Sequence, residues 1–261
     1  TTINSKRGTY ISDTKKYKFE NKVVVNNPDF TLTSARMDFY TESKYAFFYG
    51  ATTIIGEDYV VRCREGFYNT VKKEGYFKDN ASVDYNNRNI IGDSIYFNDT
   101  KKYASATQNI RITDTINNSF ITGNYGQVFK EKDSAMVTHR ALAINLVEKD
   151  SLFIHADTLV ATGPPDERII RGFHDVRIFK EDLSGKADSI YFNQNSGRAK
   201  LIRRPINDRD LQYLTPQEIA DRNPILWSDE KVIVIVASPL TVKNGFCSRA
   251  SDSTGAFSNT A

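Results

Sequence analysis

The chain has 261 residues and a formal net charge of +3, from 35 basic and 32 acidic side chains. That balance argues against nucleic acid or an anionic membrane surface as a partner, and the length suits one elongated domain or two small compact ones. Two cysteines, Cys63 and Cys247, are too few for a disulfide framework, and the longest apolar run, Val232 to Ala237, is only strand-length.

Taken from the amino terminus, the chain repeats itself. Asp13-Thr14-Lys15-Lys16-Tyr17 is echoed by Asp99-Thr100-Lys101-Lys102-Tyr103, and Asp93-Ser94-Ile95-Tyr96-Phe97-Asn98 returns unchanged as Asp188-Ser189-Ile190-Tyr191-Phe192-Asn193. In register with the hexapeptides stand the small residues Ala35, Cys63, Gly92, Gly123, Ala156 and Ala187, spaced by 28, 29, 31, 33 and 31 residues. A period of this size marks a stacked architecture, and its continuity favours one elongated domain, over about 8–237, rather than two compact ones. Between the anchors, Asn89 to Asn98, Tyr103 to Thr113, Ser119 to Lys130, Ser134 to Val147, Ser151 to Thr162 and Arg168 to Lys180 are rich in β-branched and aromatic residues, which predicts strands. They are separated by Asp, Asn and Gly turns such as Asn98-Asp99-Thr100-Lys101 and Asp114 to Asn118.

In Leu152 to Val160 both parities carry apolar residues, so either both strand faces are partly buried or a bend in mid-strand exchanges inside for outside. The small anchors suit such a bend. The expected fold is all-β, a solenoid of sharply bent strands with one long interior. Regularity ends after about Leu201. Thr215-Pro216-Gln217-Glu218 is a capping box with Pro at the first helical position, which predicts one short helix within an insertion at about 205–222. A strand is expected at Lys231 to Ala237, and residues 238–261 read as a flexible tail.

No catalytic constellation emerges. Asp93, Asp157 and Asp188 each follow a small anchor, and a residue recurring at one phase of a repeat is a structural signature. His155 and Asp157 are the nearest approach to a metal pair, but the chain has only three histidines. Ser94, Ser151 and Ser189 lack a glycine elbow, no phosphate-cradling loop is present, and Gly163-Pro164-Pro165 is a connection. The expectation is no enzyme, no metal and no cofactor.

Gly92 to Asn98, Asn109 to Ser119, Asp150 to Leu159 and Pro224 to Asp229 resemble the OstA-like proteins of Bacteroidetes, a family similar to LptA and to the amino-terminal domain of LptD. The likeness covers about 8–237 and is most specific from Gly92 to Phe192. It implies a β-jellyroll, or β-taco, that binds lipopolysaccharide in the periplasm, shields the acyl chains of lipid A, and joins edge to edge with LptC-like and LptD-like partners or with further copies of itself, head to tail. Ile95, Phe97, Ile121, Phe153, Leu159, Ile190 and Phe192 are the candidate interior, lipid-binding residues. Two other readings stand beside this one: a structural solenoid scaffold or filament, and a glycan-processing enzyme on a solenoid.

Overall fold

The computed structural model describes residues 1–85, 87–147, 150–181, 183–202, 215–221, 225–228 and 234–237. They divide into two compact units, residues 1–135 and 136–261. The first holds β1 (Thr2–Asn4), β2 (Arg7–Ile11), β3 (Lys16–Asn26), β4 (Phe30–Tyr40), β5 (Tyr45–Gly56), β6 (Tyr59–Asn69), β7 (Glu74–Tyr85), β8 (Arg88–Asn98), β9 (Tyr103–Asp114) and β10 (Ser119–Phe129). The boundary falls within β11 (Ser134–Val147); the second unit continues with β12 (Asp150–Thr162), β13 (Ile169–Lys180), β14 (Leu183–Asn193), β15 (Arg198–Ile202), the helix α1 (Pro216–Asp221), β16 (Ile225–Ser228) and β17 (Val234–Ala237).

Successive strands from β2 to β10, and from β12 to β15, pair antiparallel. Each long ladder carries one register break near its middle, and the breaks come from two kinds of strand. In β3, β7, β9, β11 and β13 the chain bends through two consecutive left-handed residues: Asn21 and Lys22, Asp79 and Asn80, Gln108 and Asn109, His139 and Arg140, His174 and Asp175. In β5 the bend is at Gly50, with φ of 83°. The left-handed region costs an L-residue roughly 1–2 kcal/mol, and Asn, Asp and His are the types most often found there. This is why polar pairs interrupt otherwise regular strands. The even-numbered partners bend at the small anchors without positive φ, and one of their residues faces two of the neighbour's: Asp93 stands opposite Asp79 and Asn80, Asp188 opposite His174 and Asp175.

The extra residue decides which side chains point inward. In β8 the buried apolar set is Ile90 and Gly92 before the bend but Ile95 and Phe97 after it, so parity switches. In β7, Gly75, Phe77, Ala81, Val83 and Tyr85 keep one parity, because the two-residue bend restores it. Each strand therefore sends apolar residues from both halves into one interior, with small side chains where the halves converge.

The halves fold back on each other. An 11-residue strand such as β4 would hold its ends about 35 Å apart if straight, at about 3.3 Å per residue. Yet Asp29, in the turn before β4, lies 2.8 Å from Lys73, in the turn that follows β6 at the opposite end of the strands. Turns on one side are also tied to the next coil by backbone hydrogen bonds, Thr70 N to Lys44 O, Asp99 N to Lys73 O and Lys130 N to Lys102 O, at 2.9–3.1 Å.

The repeated hexapeptide now has an assignment for each of its outward and inward positions. Asp93 accepts a hydrogen bond from Asn109 at the bend, Ile95 and Phe97 point inward, and Tyr96 points outward. Asn98 accepts the backbone N–H of Lys101 and shapes the turn, as Asn193 does for Asn195 and Ser196. On the outer face, Phe47, Phe67, Tyr76, Tyr96, Tyr103 and Phe129 form a ladder of rings across β5 to β10, with centroids 5.0–6.0 Å apart.

The predicted helix is present as α1, and its capping box is formed: Thr215 N donates to Glu218 Oε2 at 2.7 Å while Glu218 N donates to Thr215 Oγ1 at 3.2 Å. Most of the insertion around it, Cys247 and the segment 238–261 lie outside the described residues; of the strand expected at 231–237, Val234–Ala237 is described and runs parallel to β15.

Candidate functional site

The extended buried apolar feature among the described residues of each unit is the interior between the two halves of its bent strands. In residues 1–135, Phe97 is fully buried and its ring meets Tyr59 at 4.7 Å and Tyr85 at 6.1 Å, both reaching from the other half. Phe30 likewise meets Tyr68 edge-on at 5.6 Å. Phe48, Phe77, Ile54 and Ile90 belong to the same lining, none more than 1% exposed.

Of the seven residues expected in the interior, six have buried side chains: Ile95 and Phe97 at 0%, Ile121 at 6%, Leu159 at 0%, Ile190 at 2% and Phe192 at 3% exposure. Phe153 does not. In β12 the buried parity before the bend is that of Ile154 and Ala156, so Phe153 points to the outer face, where its ring meets Phe179 at 6.2 Å. Both parities of this segment are apolar, and Ile154 takes the inward place.

Burial sets the electrostatics of the lining. It raises the Tyr59 phenol to about 12 and the Cys63 thiol to about 12, and pushes the Tyr68 and Tyr85 phenols up as well, since an anion there would lose its hydration. Cys63 is a free, buried cysteine. All four groups stay neutral at ordinary pH, so the interior offers apolar surface and uncharged hydroxyls.

The convergence of β-strand halves brings glycine backbones close to side chains. A Cβ on Gly172 would come within 2.8 Å of Ile190 Cγ2 and 3.2 Å of Leu159 Cδ2, while one on Gly126 would sit 3.3 Å from Ile110 Cγ2.

The other candidates do not assemble. His139, His174 and Asp175 are bend residues with exposed side chains. A register break separates His155 from Thr158 beside Asp157, and among the described residues no group of three or more His, Cys, Asp and Glu side chains comes together. No helix among the described residues is long and apolar enough to cross a membrane.

Where the strand ends meet, polar residues cover the interior. In the first unit, Asp29 pairs with Lys73, Asp58 with Lys102 at 3.9 Å and with Lys130, and Arg88 with Asp133 at 2.7 Å. A cleft of about 600 Å³, lined by Asp29, Asp58, Tyr59, Lys73, Asp99 and Lys102 among others, lies at this rim. In the second unit Gln194 donates to Asn145 across the same kind of gap at 2.9 Å, and Arg168, 2% exposed, donates to the Gly163 carbonyl. Sequence reading passed over this rim, although Lys15, Lys44, Lys73 and Lys102 recur at 29-residue intervals.

Residues 1–93, from β1 into the middle of β8, match the family model described as OstA-like protein. No curated protein matches the chain. Among solved structures, LptH from Pseudomonas aeruginosa, described as the LptA-homologous periplasmic component of the conserved lipopolysaccharide transport device, is similar at 11% identity and a TM-score of 0.42, covering 55% of this chain and 95% of that one.

Proposed function

We propose that this protein is a non-enzymatic, periplasmic component of lipopolysaccharide transport that holds the acyl chains of lipid A between the two halves of its bent strands. The observation that carries the reading is that every bend, by a parity switch in the even-numbered strands and a two-residue step in the odd-numbered ones, turns apolar residues from both strand halves into the interior of each unit. Such a surface holds a lipid through area alone, at about 0.8 kcal/mol per buried methylene, with no need of a catalytic group. The OstA-like match over residues 1–93 supports the same role. Edge-to-edge assembly with LptC-like or LptD-like jellyrolls, or with another copy, is supported by β1 and β2, which both pair with β3 and carry no further strand on their other side among the described residues.

The side chains at 95 and 97 are fully buried, so a bound lipid requires the two halves to part. Photoreactive residues at 95, 97, 190 and 192 should label lipopolysaccharide, whereas the outward positions 96 and 191 between them should not. Equal labelling at inward and outward positions, or none at all, would overturn the reading. The closed packing favours one alternative, a structural scaffold with a filled core. Native mass spectrometry of protein extracted with its lipid separates the two.

A further inference from the structure

The rim of the first unit carries a pattern that apolar burial does not explain. Lys15, Lys44, Lys73 and Lys102 occupy the same left-handed turn position in successive coils, with φ of 47°, 62°, 53° and 47°, and Asp133 follows in that position with φ of 41°. On the facing rim stand Asp29, Asp58 and Arg88, at intervals of 29 and 30 residues. The pairs run Asp29 with Lys73, Asp58 with Lys102, and Arg88 with Asp133. At the third coil both signs are exchanged and the pairing persists. Opposite charge across the gap, more than any one residue type, is what the repeat maintains.

We infer that these pairs form an ionic latch that holds the interior of residues 1–135 shut and yields to competing ions. The inference goes beyond the proposed lipid role and rests on it only for what the opened interior admits. Each pair joins a strand end or turn on one side of the gap to a turn on the other, so parting the halves must break them together. Lys130 adds a second contact to Asp58, and its ammonium lies 4.6 Å from the centre of the buried Tyr85 ring, so the latch reaches the aromatic lining beneath it. Lys73 and Asp29 are 38% and 53% exposed, which leaves that pair within reach of added salt.

Ala104, 1% exposed, pairs with Phe97 and Val128 on the inner face near the rim, which makes it a site for a reporter thiol. Cysteine placed there, with Cys63→Ala and Cys247→Ser, should react slowly with a maleimide at about 0.01 M salt. It should react faster at about 1 M, as the screening length falls from about 30 to about 3 Å. Lys73→Gln should raise the rate about threefold to fivefold, and Lys73→Gln with Lys102→Gln and Lys130→Gln by well over tenfold, consistent with weak pairs acting together. The exchanged variant Asp29→Lys with Lys73→Asp should restore protection, which separates a latch from a general loss of folding. A rate unmoved by salt and by the triple substitution would overturn the latch, as would an exchanged pair that labels as fast as Lys73→Gln. The assay contains no lipid. Failure of lipid crosslinking at 95 and 97 would therefore remove the transport reading and leave the latch standing.

Discussion

Where the strand ends of residues 1–135 meet, cations and carboxylates face each other in a row; where those of residues 136–261 meet, an amide pair and a buried arginine bonded to a backbone carbonyl take their place. Both units bend their strands by the same two-against-one device, and they differ in how the free ends are fastened. Exposed ion pairs weaken with salt, whereas an amide pair such as Gln194 and Asn145 is indifferent to it. The row of pairs in the first unit is thus a fastening that responds to ionic conditions, and the Gln194–Asn145 bond is one that does not.

The largest expected contrast is with pH. Cys63 and Tyr59 have their protonated forms favoured by burial, with values raised from 9.0 and 10.0 to about 12 in the folded chain. Their contribution is fully present below pH 9 and is lost as pH climbs from 9 to about 12, because the unfolded chain releases protons there and the folded chain does not. Alkaline titration followed by amide exchange should therefore open β6 to β8 before β13 and β14; simultaneous opening would erase the contrast. Next comes the shared phenylalanine of the hexapeptide. Phe97→Ala should cost about 3–5 kcal/mol, and Phe192→Ala an amount nearer the lower end, because Phe97 also loses two ring contacts. Urea denaturation of the two variants measures the gap.

The inner glycines give a smaller effect. Gly172→Val should destabilise by about 1–3 kcal/mol through its clash with Ile190 and Leu159, while Gly126→Ala should stay within about 1 kcal/mol, since its methyl meets only isoleucine methyl groups, none nearer than 3.3 Å. Smallest of all, Lys73→Gln should change equilibrium stability by no more than about 1 kcal/mol, and less at high salt, as befits an exposed pair. A larger loss in thermal melts would mean that the ion pairs hold up the fold itself.

The repeat was legible because Cys63, Gly92, Gly123, Ala156 and Ala187 sit one residue before the bend of their even-numbered strands; in β4 that place belongs to the buried Ser34, and Ala35 is the exposed residue at the bend itself. The matching bends of the odd-numbered strands were not. Asn21-Lys22, Gln108-Asn109 and His174-Asp175 share only polarity and tolerance of positive φ, with no common residue to align. Phe153 was misplaced for a different reason: both parities of Leu152 to Val160 are apolar, and Ile154, not Phe153, shares the side of the inward anchor Ala156. The rim pairs were hidden for another reason. They join residues some 44 positions apart across a fold in the strand, and a lysine in a turn looks like any solvated charge.

The two-against-one bend also sets which changes of length the chain can inherit. One residue gained or lost between a turn and a bend would turn that half-strand inside out, so viable insertions must fall at the outer ends of the coils. The coils differ in that manner. The step from Gly92 to Gly123 is two residues longer than the one before it, and four residues separate β9 from β10 where two separate β7 from β8; the β12–β13 connection grows by a short 3-10 turn at Pro165–Glu167. A lineage of such repeats can lengthen its rim freely while its bends stay fixed in register.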